Sequence, residues 1–351
     1  METKLDFHDI RVIPAVISEV SSRSEINPFY LLEEKKFYLP IFTAPMDTVI
    51  NSNNKNLFLK NKIRTIIPRG EKYFFHSQEK VFVSYGIDDF CECFIDIKDS
   101  DINERLKYTQ YVLIDVANGH MRKLIDIVKK AKLIYKDKMV LMVGNIANPQ
   151  TYSIFAEIGV DFCRCGIGNG SACLTTKQTT IGYPMASLIQ ECREIKVLNN
   201  YKTCIVADGG MKDFSDIILA LALGADYVMV GSLFNKSLES CGDTYVFNKI
   251  KINQHSKFAL WLFKRKITLT KKYRGMSTKE VQRKWGKKTI KTSEGVSKKQ
   301  KVEYTLSQWV ENFEDFLRST MSYTNSKTLK DFIGKVEIVK ISDKAYDRFN
   351  K

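Results

Sequence analysis

DFCRCGIGNG, residues 161–170, sets a short apolar run against a glycine-rich tail. Alone, such a run fits a buried strand or a piece of buried helix equally well. The fold is decided by its recurrence. FYLPIFTAPMD (37–47), IRTIIPRG (63–70), KVFVSYG (80–86), YVLIDVANG (111–119), MVLMVGNI (139–146), TCIVADGG (203–210) and DYVMVGSLF (226–234) repeat it, each closing on polar or glycine residues. Between them lie segments of helical periodicity, MRKLIDIVKKAKLIY (121–135), PMASLIQECREIKVL (184–198) and FSDIILALALGA (214–225). Eight strands alternating with helices predict an α/β fold, a (β/α)8 TIM barrel. The rival, a doubly wound open sheet, lacks a G-x-G-x-x-G after its first strand.

A barrel builds its active site from the loops leaving the C-terminal ends of its strands. Those polar tails carry Asp47, Asp115, Asn118, Asn145, Cys173, Asp208 and Ser232. After Phe234 the pattern changes: residues 240–303 are rich in Lys, Gly, Ser and Thr, with a weak helix at TKEVQRKW (278–285), before LSQWVENFEDFLRSTMSY (306–323) resumes a helix. A long, basic, structurally weak insertion after the last strand reads as a flap, or as a surface excursion. The chain is thus expected to be one barrel domain over residues 1–351.

Composition narrows the class. Of 351 residues 44% are hydrophobic and 27% charged, and no apolar run approaches the roughly 18–20 residues that cross a bilayer. The start, METKLDFHDIRV, lacks the apolar core of a signal peptide, so a cytoplasmic protein without membrane contact is expected. The net charge of +15 gathers between Lys257 and Lys301. With no repeated aromatic interleaving and no nucleic-acid motif, a solvated basic loop is favoured over a polyanion site, and the positive field can also draw in a phosphorylated small molecule. The eight cysteines (91, 93, 163, 165, 173, 192, 204 and 241) form two C-x-C pairs and no C-x-x-C. Most read as small hydrophobes in strand-like runs, which fits a reducing compartment. His8, His76, His120 and His255 have no ligand spacing, so zinc is not expected.

ADGG (207–210) and VGS (230–232) end the seventh and eighth strands, where barrels commonly hold a phosphate on backbone N–H groups. The plain alternative is a pair of tight turns. Asp208 suits ribose hydroxyls and Ser232 can donate to phosphate. Cys173, after the sixth strand, is either a nucleophile beside that pocket or an inert filler. Glu294 in SEG (293–295) is an acid–base group or a solvated charge. YRGMS (273–277) offers an aromatic ring, a cation and a hydroxyl suited to a planar base with a phosphate tail.

Together these motifs resemble the IMP dehydrogenase and GMP reductase superfamily over nearly the whole chain: KLDFHDIRVIP, SSRSEI, TAPMDTV, IDVANGH, VGNI, GIGNGSACLTT, IGYP, ADGG, GADYVMVGSLF, YRGMS, SEG and LRSTMSY, in order. The resemblance implies a TIM barrel, usually tetrameric, binding a purine nucleotide and a nicotinamide cofactor. Dehydrogenases of the family usually carry a two-module regulatory insertion near residues 70–110 and a longer flap with an Arg-Tyr pair that activates water. Both are missing: 15 residues separate GMS from SEG, without an Arg-Tyr pair. DVANGH, GYP and SRSE resemble the reductase branch, whereas APMDTV and GSLF are closer to the dehydrogenase, and Lys291 stands where reductases often place an Arg.

By resemblance, Cys173 attacks C2 of the purine while Thr175 and Glu294 protonate the departing amino group, and NADPH reduces the adduct, converting GMP to IMP. Ser171, Asp208, Gly209, Gly210, Gly231, Ser232, Tyr273, Gly275, Met276, Ser277 and Lys291 fall on the nucleotide side. Asp115, Asn145 and Gly170 fall on the cofactor side. The carbonyls of Gly168, Gly170 and Cys173 match a monovalent cation site, such as one for K+.

Overall fold

Strand residues alternate between two apolar cores, and that alternation closes the barrel. Leu113, Met142, Val206 and Met229 belong to an inner cluster, while their neighbours Val112, Ile114, Leu141, Val143, Ile205, Ala207, Val228 and Val230 belong to an outer one beneath the helices. A period of two with both faces buried is what a parallel sheet wrapped by helices requires. In the computed structural model, which describes residues 2–32, 36–71, 80–285, 289 and 292–349, eight parallel strands form one sheet. They are β1 (Ile41–Thr43), β2 (Ile66–Ile67), β3 (Phe82–Tyr85), β4 (Gln110–Asp115), β5 (Met139–Ile146), β6 (Phe162–Cys165), β7 (Cys204–Asp208) and β8 (Tyr227–Val230). Each lies inside a run quoted above, except that β4 starts one residue earlier, at Gln110. β8 pairs β1 in parallel, and the ring shuts where Thr43 N donates to Arg64 O (2.9 Å) and Arg64 N donates to Ile41 O (3.1 Å). The fold is a (β/α)8 TIM barrel.

Arg64 is a buried cation inside this ring. Its guanidinium lies 4.5 Å from the Phe42 ring centre, 5.2 Å from that of Phe162, 5.3 Å from Tyr227 and 5.5 Å from Phe82, so π faces take the place of lost water. Phe42 and Phe82 are wholly buried, each contributing roughly 1.5–3 kcal/mol of transfer free energy.

The outer helices start where local chemistry allows. Asn148 accepts from Gln150 N (2.9 Å), and Pro149 fills the first turn of helix Pro149–Ile158, where its missing N–H costs nothing. Helix Leu306–Tyr323 returns to the barrel after the flap; its Trp309 packs on Phe234 (4.8 Å between ring centres) and on Phe214 (5.3 Å).

The flap corrects the reading of a structurally weak insertion. Strands β9 (Thr244–Val246), β10 (Ile250–Ile252), β11 (Leu269–Arg274) and β12 (Ser297–Lys301) form an antiparallel sheet in the order β10-β9-β11-β12. Helix Lys257–Lys264 covers it, and Leu238, Val246, Ala259, Leu262, Leu269 and Val302 make a separate small core. The cysteine reading is also corrected: Cys163, Cys165 and Cys204 lie on strands, but Cys91, Cys93 and Cys192 lie on helices. All eight are free. Burial pushes the Cys163 thiol up, and those of Cys204 and Cys241 up to about 12, which keeps them protonated and inert.

Candidate active site at the C-terminal mouth of the barrel

The loop after β6 is stitched to its neighbours before it reaches Cys173. Gly166 N donates to Ile146 O (2.7 Å), the Asn145 amide donates to Gly166 O (2.7 Å), and Gly210 N donates to Asn169 O (2.9 Å). Gly209 and Gly210 both sit at positive φ (+89° and +86°), where side chains are disfavoured. A Cβ on Gly209 would stand 3.0 Å from Gly170 N, so the seventh and sixth loops touch backbone to backbone.

Cys173 caps this loop through its own N–H, which donates to Gly170 O (2.8 Å). The flap then crosses it as a short strand would: Leu174 N donates to Glu294 O (2.7 Å), Val296 N to Ala172 O (3.0 Å) and Gly275 N to Val296 O (3.0 Å). That crossing aligns three polar side chains. The Cys173 thiol donates to Thr175 Oγ1 (3.2 Å), and Thr175 donates to Glu294 Oε2 (2.7 Å). A thiol, a hydroxyl and a carboxylate thus lie in one hydrogen-bonded line, with the first two from the barrel and the third from the flap.

A charge cluster lies at the ends of β4, β6 and β7. Arg164 Nε donates to Asp208 Oδ2 (2.9 Å) and its Nη1 to Asp115 Oδ1 (2.5 Å), while the Asn145 amide also donates to Asp208 Oδ2 (2.7 Å). Asp115, assigned with Asn145 to the cofactor side, and Asp208, assigned to the nucleotide side, therefore come together through a residue the sequence reading passed over. The signal was present: one arginine between two cysteines in a buried strand needs a counter-charge. His120 was also missed as a brace. Ala147 N donates to its Nε2 (3.1 Å), so the ring proton sits on Nδ1, 2.8 Å from Thr151 Oγ1; burial holds its pKa below the usual value, in keeping with this neutral tautomer.

On the other side of the mouth, Gly231 and Tyr273 approach each other: a Cβ on Gly231 would meet Met46 Sδ at 3.0 Å and the Tyr273 hydroxyl at 3.3 Å. Ser232 opens the short helix Ser232–Asn235. A Cβ on Gly275 would strike Ala172 O at 2.7 Å, and one on Gly295 would meet Ser277 Oγ at 3.0 Å. Met276 follows Gly275 at the same crossing. Lys298 Nζ donates to Ser171 O (3.2 Å). A Cβ on Gly168 would collide with Thr176 Oγ1, which fixes the backbone of that turn. Lys291 lies outside the described residues.

Arg274 departs from expectation. The cation read as suited to a phosphate tail is buried and ion-paired to Asp47 (2.6 Å) and to Glu280. Asp47 also accepts from Lys284 (2.9 Å). Burial opposes the Asp47 charge, but Arg274 and Lys284 outweigh it and hold its carboxyl below the usual range. This network seats the flap on the loop after β1.

The fold and this line of groups define a TIM barrel with a thiol and a hydroxyl at its C-terminal mouth and a carboxylate brought to them by a flap. Comparison with known proteins then gives the family. A family model described as IMP dehydrogenase / GMP reductase domain matches residues 103–348. The chain is 31% identical over 358 residues to a GMP reductase of Clostridium acetobutylicum, covering 99% of this chain and 98% of that protein. It is 27% identical to a GMP reductase of Caenorhabditis elegans (99% and 95% covered) and 26% identical to GMP reductase 2 of Homo sapiens (100% and 98% covered). The chain belongs to the IMP dehydrogenase / GMP reductase family and is an oxidoreductase of that family. Among the described residues no helix is long and apolar enough to cross a membrane.

Proposed function

We propose that the protein is a GMP reductase, converting GMP to IMP and ammonia with NADPH. The observation that carries this reading is the Cys173–Thr175–Glu294 line. The thiol proton passes through Thr175 to Glu294, and the thiolate attacks C2 of the purine, forming a carbon–sulfur bond. Amide ion is a poor leaving group, so Glu294, through Thr175, returns a proton to the amino nitrogen; the C2–N bond breaks and ammonia departs. Acid–base help of this kind is worth about 10²–10⁴-fold. When bound, the reduced nicotinamide supplies the two electrons and one hydrogen that replace sulfur at C2.

The donor set fits that cofactor. Asn145 spends its amide N–H groups on Gly166 and Asp208, which leaves its amide oxygen as an acceptor for a carboxamide. Asp115 keeps a second carboxylate oxygen beyond Arg164, and Gly170, on the cysteine loop against Gly209, is assigned to the same side. The 15 residues between GMS and SEG, without an Arg-Tyr pair to activate water, support reduction over hydrolysis.

Asp208, Gly209, Gly210, Gly231, Ser232 and Tyr273 are assigned to ribose and phosphate, and Ser171, Gly275, Met276, Ser277 and Lys291 to the nucleotide under the flap. A monovalent cation such as K+ is assigned to the carbonyls of Gly168, Gly170 and Cys173. The same reading takes the chain as one barrel domain with its flap, in a cytoplasmic homotetramer.

The test is a pair of assays on the purified protein. GMP with NADPH is expected to release ammonia and oxidise cofactor in equal amounts. Turnover with IMP and NAD alone would overturn the reading and assign a dehydrogenase.

A further inference from the structure

The flap carries a second surface that the chemistry at Cys173 does not use. Residues 244–279 contain ten Lys and Arg and no Asp or Glu. Within that stretch Phe247, Ile250, Phe258, Leu260 and Trp261 stand exposed, from 38% for Leu260 to 69% for Phe247. They are not a core that failed to close. Helix Lys257–Lys264 already turns Ala259 and Leu262 inward onto Leu238, Val246, Leu269 and Val302. Phe258 and Trp261, three residues apart, share its outer face and stack with ring centres 6.0 Å apart and planes at 15°. Arg265 lies 5.0 Å from the Trp261 ring centre. Lys249, Lys257, Lys264 and Lys266 are exposed along the same stretch.

An exposed apolar patch set among charges of one sign marks a partner site, and the charge selects the partner. A second copy docking through this same stretch would set its ten Lys and Arg against ten more, so the partner at this patch is anionic. A nucleic acid would need free ring faces for its bases, but Phe258 and Trp261 stack on each other with Arg265 beside them. Exposed aliphatic Leu260 on the helix and Ile250 on the hairpin suit hydrocarbon instead. We infer, against the expectation of no membrane contact, that helix Lys257–Lys264 and the β9–β10 hairpin dock peripherally on an anionic lipid surface. The apolar side chains enter the headgroup boundary and the lysines face lipid phosphates. Eight helical residues give shallow, reversible, salt-sensitive attachment. The sheet order places β10 at the edge opposite β12, which follows the segment bearing Glu294, so docking and chemistry occupy opposite edges of one small sheet.

Full-length protein is sedimented with vesicles of phosphatidylcholine containing about one quarter phosphatidylserine, and with phosphatidylcholine vesicles alone. Binding is expected with the anionic vesicles only. It is expected to weaken about tenfold or more in Phe258→Ser/Trp261→Ser and in Lys257→Glu/Lys264→Glu, while both variants keep the melting temperature of the unsubstituted protein. No binding by the unsubstituted protein, or equal binding by the variants, overturns the inference. A change of oligomeric state in Phe258→Ser/Trp261→Ser reassigns the patch to a second copy, and tighter binding of a single-stranded oligonucleotide than of vesicles reassigns it to nucleic acid; either result also overturns it.

Discussion

At the barrel mouth Asp115, Arg164 and Asp208 close on one another, whereas in the flap Arg274, on β11, and Lys284, at the end of helix Lys279–Lys284, reach out to Asp47 in the loop after β1. The first network is built from three strand ends and exists without the flap. The second is what seats the flap. The proposed catalytic line therefore has one half, Cys173 and Thr175, held by the barrel, and another half, Glu294, carried by the flap. The expectation is that the first network carries stability and the second carries substrate-dependent function.

The largest effect separates the two halves directly. Cys173→Ala is expected to lower turnover of GMP by about 10³-fold or more, and Glu294→Gln by about 10²-fold, with melting temperatures unchanged in both. Equal, small losses would break the assignment of nucleophile and acid. Next comes the contrast between the networks. Arg164→Met leaves two buried carboxylates facing each other and is expected to cost about 3–5 kcal/mol in denaturant unfolding. Asp47→Asn is expected to spare most of that stability but to raise KM for the nucleotide about tenfold, with kcat changing less. If Asp47→Asn unfolded the protein as readily as Arg164→Met, the two networks would not differ in kind.

The smallest effect concerns Lys271, wholly buried on β11, whose Nζ donates to Leu238 O (2.7 Å), Ser240 O (2.6 Å) and Ser240 Oγ (2.8 Å). Burial pulls its pKa from 10.5 down to about 7. Between those values the unfolded chain binds a proton that the folded chain does not, so stability contributed by this group rises with pH across that window. Melting temperatures from pH 7 to pH 10 are expected to climb more steeply for the unsubstituted protein than for Lys271→Met, and parallel curves would contradict this.

The barrel was legible because its strands are buried on both faces, so each announces itself as an apolar run ending in glycine or a polar residue. The cysteine loop was legible because GIGNGSACLTT, SEG and YRGMS recur in a known order. The flap was not. Its strands, such as SKKQK at 297–301, carry lysines on the exposed face, and this hides the alternation that Val246, Leu269 and Val302 supply from within. Nor does sequence distinguish Lys271 from Lys272: one is sealed among carbonyls and its neighbour pairs with Glu280 (2.9 Å), because adjacent strand residues face opposite ways. Arg274 misled for a related reason, since its partner Asp47 lies more than 220 residues away in the chain.

The central claim is that Cys173 carries the purine after ammonia has left. The direct measurement is the intact mass of the protein incubated with GMP and the oxidised cofactor, which supplies no electrons, then quenched in acid. The expected result is a mass gain equal to GMP less ammonia, located on the Cys173 peptide and absent in Cys173→Ala. An unmodified Cys173, in protein that turns GMP over when the reduced cofactor is supplied, would contradict it.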